Sequence, residues 1–379
     1  MGTNETRWDF GAGEHAARVE ADGFEKGESL WRDAWHRLGR NRGAIWSLRV
    51  LVLVVVLATL APLLPLPSPM ALDLQDEPQP PVLPFADPGN HGFTPEARRQ
   101  FEDAWEPGGF DRALIAARVK LFGTYQTGHW LGTDSKGRDL LARILWGSRV
   151  SLLVALSAGL CSLLIGVTYG AFSGYMGGWV DNLMMRFVDV LYSVPFVFVV
   201  IFLVTVLAEF RVERIASDGT TQLLTLEEAY GIDKMLVFFV VIGAIFWLTM
   251  ARVVRGQVLS LKNSEFIEAA RVIGASTPRI LFVHLVPNVL SVVIVYLTLT
   301  IPSIMLFEAF LSFLGLGVEP PRVSWGLLAV DTTEAINPVK TFWWLVAWPS
   351  LAMGSTLLAL NLLGDGLRDA LDPKMKGSK

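Results

Sequence analysis

Six long apolar runs constrain this chain more than any other feature of its sequence. They are Ile45 to Leu64, Ser151 to Phe172, Phe187 to Ala208, Met235 to Met250, Leu290 to Phe307 and Phe342 to Leu363. A helix rises about 1.5 Å per residue, so about 20 apolar residues cross the roughly 30 Å hydrocarbon layer. In lipid the backbone must satisfy its own hydrogen bonds, which makes each run a helix. The expectation is an all-α membrane protein with six transmembrane helices. The fourth run is the shortest and has room to extend at its first end. Only 18% of the 379 residues are charged, less than a soluble domain of this size carries. A long polar segment precedes the first run, which therefore reads as a retained anchor rather than a cleaved leader.

Lys and Arg near the run ends set the expected orientation. Arg32, Arg37, Arg40, Arg42 and Arg49 precede the first run. Arg252, Arg255, Lys262, Arg271 and Arg279 lie between the fourth and fifth, and Arg368, Lys374, Lys376 and Lys379 follow the sixth. Six crossings put all three groups on one side, expected to be the cytoplasm, with both termini. The loop from Pro65 to Arg149 also holds nine basic residues, but it exceeds the length over which the rule acts. It is assigned to the outside. Its first part, to Asp111, carries nine acidic and two basic residues; the remainder carries seven basic and two acidic. Thr94-Pro95 opens a helix expected to end before Pro107, and Asp111 is the expected cap of a second that Gly123 stops.

Several chemistries are excluded. Net charge is −4, so no general polyanion-binding surface is implied, and nucleic acid is not an expected partner. Cys161 is the single cysteine and lies inside an apolar run. His15, His36, His91, His129 and His284 are scattered, with no metal-ligand spacing. Gly132 to Asp139 is glycine-rich but lacks the Gly-Lys-Ser/Thr ending of a phosphate-binding loop. No catalytic or metal residue is assigned. Ionisable groups are scarce within the runs; Asp189 and Glu308 lie near run ends. Carriers driven by ions usually hold such groups at mid-membrane, so energy is expected from a partner.

The most informative polar segment is Glu268-Ala269-Ala270-Arg271-Val272-Ile273-Gly274, continuing through Ala275 to His284-Leu285-Val286-Pro287-Asn288. Asn263 or Ser264 is the expected cap of a short helix, and Gly274 its left-handed stop. Thr277-Pro278 reads as a cap with proline at the first helical position, and Pro287 as the end of that second helix. Glu268, Ala269, Ala270, Gly274 and Pro287 resemble the EAA loop of ABC-importer membrane subunits. The resemblance implies ATPase coupling by Glu268, Ala269, Ala270, Arg271, Gly274, Ala275 and Pro287. Small alanines permit close approach, and Glu268 can pair with a basic partner.

Further segments resemble C-type permease subunits of the oligopeptide, dipeptide and nickel group. They are Ser29-Leu30-Trp31 with Asp33-Ala34-Trp35, His129 to Asp134 with Gly137-Arg138-Asp139, Gly174 to Asp181, and Glu308 to Gly317 with Ser324-Trp325-Gly326. The resemblance implies a type I importer permease fold with a cytoplasmic coupling loop, an enlarged external loop and no cofactor on this chain. It further implies a second permease subunit, two ATPase subunits carrying ATP and Mg, and an external solute-binding protein, in a bacterial inner membrane. Glu308, Gly315 and Gly317 are candidate outer-gate residues.

The expected organisation is a flexible 1–27, an amphipathic juxtamembrane helix over 28–43, a first span over 44–66 and an external loop over 67–147. A five-helix transport core over 148–364 contains the coupling loop at 252–289, and 365–379 is a tail. In the juxtamembrane helix Leu30, Trp31, Trp35 and Leu38 share a face suited to the membrane surface. The stretch 209–234 is longer than the resemblance leads one to expect, and its role stays open. A carrier or channel acting without an ATPase, a membrane-embedded enzyme and an export permease are the rival classes. The solute is open among dipeptides, oligopeptides, nickel complexes, glutathione and peptide antibiotics.

Overall fold

The computed structural model describes residues 30–72, 78–84, 86–105, 107–215, 221–225, 234–334 and 341–371. The stretch 1–27 and most of the C-terminal tail lie outside them. Helix α1 (Leu30–Arg40) leads into α2 (Arg42–Leu60), which a 3-10 turn, Ala61–Leu63, extends. Asn41 separates the two and caps α2, its Oδ1 accepting from the Ala44 N–H at 3.2 Å. The loop after α2 carries α3 (Pro95–Trp105) and α4 (Gly109–Phe122), the latter closed by Gly123 at φ 61°. Asp111 does not cap α4; Gly108 holds that position, and Asp111 instead accepts from Arg149 at 2.6 Å.

Helix α5 (Leu140–Met176) starts before residue 148, and Asp139 caps it through the Ala142 N–H at 2.7 Å. The third apolar run is not one straight helix. It divides into α6 (Gly178–Ser193) and α7 (Phe196–Glu209), bent by 84°. Pro195 explains the break: it offers no N–H and drives Val194 to extended backbone, φ −84° and ψ 127°. A two-stranded antiparallel hairpin follows, β1 (Arg211–Ile215) with β2 (Thr221–Thr225). It is the one sheet among the described residues and occupies part of 209–234.

Helix α8 (Lys234–Leu261) extends the fourth run at its second end. The short α9 (Glu265–Val272) precedes α10 (Thr277–Phe313). Helix α10 is continuous through Pro287, which therefore does not end a helix. The reason is the π-helical stretch Ile280–Leu285 immediately before it. That wider turn shifts the ladder, so the proline ring meets no carbonyl aimed at it from the preceding turn. Helices α11 (Trp325–Glu334) and α12 (Trp343–Leu371) complete the chain.

Among the described residues five helices are long and apolar enough to cross a membrane, and the bent α6–α7 pair makes six. Their order supports counting that pair as a crossing. Ideal Cβ atoms at Gly166, Gly170 and Gly174 of α5 would fall 2.6 Å from Met250 Cβ, 2.3 Å from the Ala251 carbonyl oxygen and 2.9 Å from that of Arg255. Both helices advance together along this seam, so α5 and α8 run parallel. Two parallel spans need one crossing between them, and α6–α7 supplies it. The glycines at four-residue spacing let the two backbones touch, the usual basis of close helix association in lipid.

The contacts also divide the bundle into two ends. At the near end, Ala34 and Leu38 of α1 cluster with Ala44 and with Ala370 of α12. Ile267 of α9 and Ile280, Leu281 and Leu285 of α10 cluster there with Val254 and Val258 of α8. Trp35 shares the α1 surface but stays exposed. The far end holds α3, α4, the start of α5, and α11.

Candidate functional site

The near-end segment from Ser264 to Ala275 is a compact, strongly curved knob. Ser264 occupies the cap of α9, yet its hydroxyl donates back to the Leu261 carbonyl at 2.6 Å instead of accepting from the helix. The other end is closed by two hydrogen bonds, Gly274 N–H to Arg271 O at 2.9 Å and Ala275 N–H to Ala270 O at 3.0 Å. This pairing is a Schellman stop, and Gly274 supplies the left-handed residue it requires, φ +84°.

The short helix sorts its residues by face. Ile267 and Ala270 turn inward and are buried. Glu268, Ala269 and Gly274 face out, and Ala275 is half-buried. Arg271 is exposed but reaches back: it donates to the Lys262 carbonyl at 3.3 Å and its guanidinium lies 5.3 Å from the Tyr175 ring. Pro287 is exposed on α10, away from the stop. Val272 and Ile273 are 88% and 85% exposed, two apolar side chains at the tip. Sequence reasoning passed over them because apolar residues in a short helix are ordinarily assigned to its inner face. Their place just before a C-terminal glycine was the available signal.

The knob stands on a rigid base. Arg255 of α8 grips Asp181 of α6 through two hydrogen bonds of 2.5 and 2.6 Å, and Ser173 of α5 donates to the same carboxylate at 2.5 Å. Lys262 donates to the Gly174 carbonyl at 3.2 Å. Three helices are thus tied immediately behind α9. Arg255 counted only as an orienting charge in the sequence, and the role of Asp181 was not legible there.

At the far end Glu308 is 1% exposed and accepts from Ser151 at 3.1 Å and Ser312 at 2.8 Å. It lies beneath α11, where a Cβ at Gly326 would fall 3.1 Å from its Oε1. Gly315 takes φ +76° after α10, and a Cβ at Gly317 would fall 2.6 Å from Ser312 Cα. Helix α11 is fastened to α5 along its length. The Trp325 N–H donates to Ser151 Oγ at 3.1 Å, the Trp325 indole donates to the Ile144 carbonyl at 3.0 Å, and Asp331 pairs with buried Arg143 at 2.6 Å. Arg143 also pairs with Asp134, which Arg138 joins at 2.7 Å. The Gly132 to Asp139 turn is therefore a structural clasp. No group of three or more His, Cys, Asp or Glu with metal-holding geometry occurs among the described residues.

Residues 166–377 match the family of binding-protein-dependent transport system inner membrane components, and residues 29–81 match the N-terminal membrane domain of oligopeptide transport permease C. The chain is 39% identical over 359 residues to the oligopeptide transport system permease protein OppC of Haemophilus influenzae, covering 95% of this chain and 93% of that one. It is 42% identical over 349 residues to OppC of Escherichia coli K12, covering 92% and 93%. With the dipeptide transport system permease protein DppC of Bacillus subtilis it shares 35% over 358 residues, covering 94% and 90%. The chain belongs to the binding-protein-dependent transport system inner membrane component family. It is a multi-pass ABC-importer permease subunit, not an enzyme, and works in a complex with permease, ATPase and binding-protein chains. This membership displaces the reading of a carrier or channel acting alone.

Proposed function

We propose that this chain forms half of the translocation pathway of an ATP-driven peptide importer and receives the ATPase stroke through α9. The observation that carries the coupling role is the exposed tip of Val272 and Ile273, set by the Gly274 stop beside Glu268 and Ala269. An apolar pair ringed by small and acidic residues fits a groove with a basic rim. Arg271 and Ala275 hold the knob's shape rather than touch the partner, and Ala270 seats it on α8 and α10.

One second permease subunit and two ATPase subunits complete the assembly, with ATP and Mg bound on the ATPases and a solute-binding protein at the far end. The near end, rich in arginine and holding α1 and the end of α12, faces the cytoplasm with both termini. Glu308, Gly315 and Gly317 belong to an outer gate in which α11 moves with α5 as one body. Peptides are the solute class, by likeness to oligopeptide and dipeptide permeases.

Purification of the tagged chain from native membranes in mild detergent tests the assembly. Recovery of an ATPase and a second six-span subunit, with ATP-dependent peptide uptake after reconstitution, is the expected result. A chain recovered alone that moves solute without ATP overturns it.

A further inference from the structure

The external helix α4 carries a surface that the transport reading leaves unexplained. It is fixed at two points. Near its start Asp111 accepts from Arg149 Nη2 of α5 at 2.6 Å. Two turns on, buried Arg118 donates to the Leu66 carbonyl at 2.8 Å, just past the end of α2, and lies 3.7 Å over the Phe93 ring. Burial pushes the Arg118 guanidinium down to about 10, so it remains a cation at neutral pH. The two anchors are seven residues apart, about 10 Å of helix, and neighbouring helix axes lie about 8–10 Å apart. Helix α4 thus lies across the rim, from the end of α2 to the flank of α5.

The depth of that rim follows from α5. Its exposed apolar residues begin at Leu153 and continue through Leu156, Leu160, Leu164 and Phe172 to Met176. That length of helix is about 35 Å, enough to cross the roughly 30 Å hydrocarbon layer. Arg149 stands one turn beyond Leu153, where headgroups begin, and holds the start of α4 at that level.

The faces of α4 divide accordingly. Ile115 and Arg118 are buried, and Asp111 lies on the same side. On one flank Phe110 and Leu121 are exposed, with Leu114 and Ala117 half-buried between them. Their spacing makes one continuous apolar stripe. The opposite flank presents Arg112, Ala116 and Lys120, all exposed. We infer that α4 is an interfacial helix whose stripe of Phe110, Leu114, Ala117 and Leu121 enters the far-side lipid leaflet beside α5, with Arg112 and Lys120 turned to headgroups and water. Lipid is the occupant because Arg149 pins the start of the helix one turn beyond the exposed apolar run of α5, at the depth of the headgroups. The arrangement is that of amphipathic helices lying in the plane of the interface.

Site-directed spin labelling of the assembled complex in nanodiscs of phosphatidylcholine and phosphatidylglycerol tests this. In a Cys161→Ala background, labels are placed through Ala117→Cys and Leu121→Cys, and on the other flank through Ala116→Cys and Lys120→Cys. Power saturation then compares molecular oxygen with a water-soluble nickel chelate. Oxygen is expected to dominate at 117 and 121 and the chelate at 116 and 120. Equal access of the chelate to all four positions overturns the proposal, because the helix is then bathed in water. Exclusion of both reagents from 117 and 121 also overturns it, because the cover is then protein.

Discussion

Replacing Gly274 isolates the contribution of backbone conformation to coupling. Its φ is +84°, and a Cβ built there meets no atom within 4 Å. Crowding therefore adds nothing, and the cost is the left-handed conformation itself, about 1–2 kcal/mol for a residue with a Cβ. A β-branched residue fares worse. Escape from that strain opens the bonds from Gly274 to Arg271 and from Ala275 to Ala270, each worth about 0.5–1.5 kcal/mol net. Either way the tip bearing Val272 and Ile273 loses its set direction. A cost of 1–2 kcal/mol lowers the population of the docking geometry about 5–30-fold. Gly274→Val is therefore expected to reduce ATP-driven uptake by about tenfold in proteoliposomes, with unchanged amounts of the chain in the membrane. Gly274→Asn should keep most of the uptake, since asparagine tolerates the left-handed region. Equal uptake by the valine variant and the native chain refutes the reasoning, and so does an asparagine variant as impaired as valine.

Glu268→Lys reverses the exposed charge beside the tip and is expected to lower ATPase recovery in pull-downs while leaving the chain's thermal stability unchanged; undiminished recovery removes the ion pair from the docking argument. Asp331→Ala strips buried Arg143 of one carboxylate and loosens α11 from α5; because Asp134 still pairs with Arg143, the cost stays below the roughly 3–5 kcal/mol of a fully broken buried pair, and thermal unfolding that does not move counts against the clasp. Gly317→Val drives a side chain into the Ser312 backbone, so uptake should fall while partner recovery is retained; native uptake refutes a gating role. Gly170→Leu forces α5 and α8 apart at a 2.3 Å approach, and detergent-solubilised chain should aggregate at lower temperature than the native one.

Much of this molecule is legible from composition along the chain, because lipid enforces helices wherever an apolar run is long enough. The run from Ser151 to Phe172 lies within α5, and the run from Leu290 to Phe307 lies within α10. What the runs do not report is where helices continue beyond the apolar stretch. Leu140 to Val150 is helical because Asp139 caps it and Arg143 finds two carboxylates, neither of which is an apolar signal. Prolines divide instructively. Pro195 breaks its run, whereas Pro287 passes inside α10 because a π turn precedes it, and π turns leave no mark in hydrophobic periodicity. In the candidate site the Gly274 stop was legible, since few residues other than glycine accept its φ. The exposure of Val272 and Ile273 and the burial of Ala270 were not, because they depend on how α9 seats against α8 and α10. Asp111 was misread for a related reason: a residue suited to capping is equally suited to an ion pair with a residue 38 positions away.

The glycine seam between α5 and α8 has a mechanical consequence. Two backbones in contact along several turns resist sliding and bending, so the pair behaves as a stiff strut. The knob hangs from the α8 end of that strut, while α5 carries α4 and α11 at its other end, about 55 Å away along 37 residues. A tilt of about 5° over that length displaces the far rim by about 5 Å. A small stroke on one side of the membrane then reaches the other as a displacement the width of a side chain, without any wire of individual contacts.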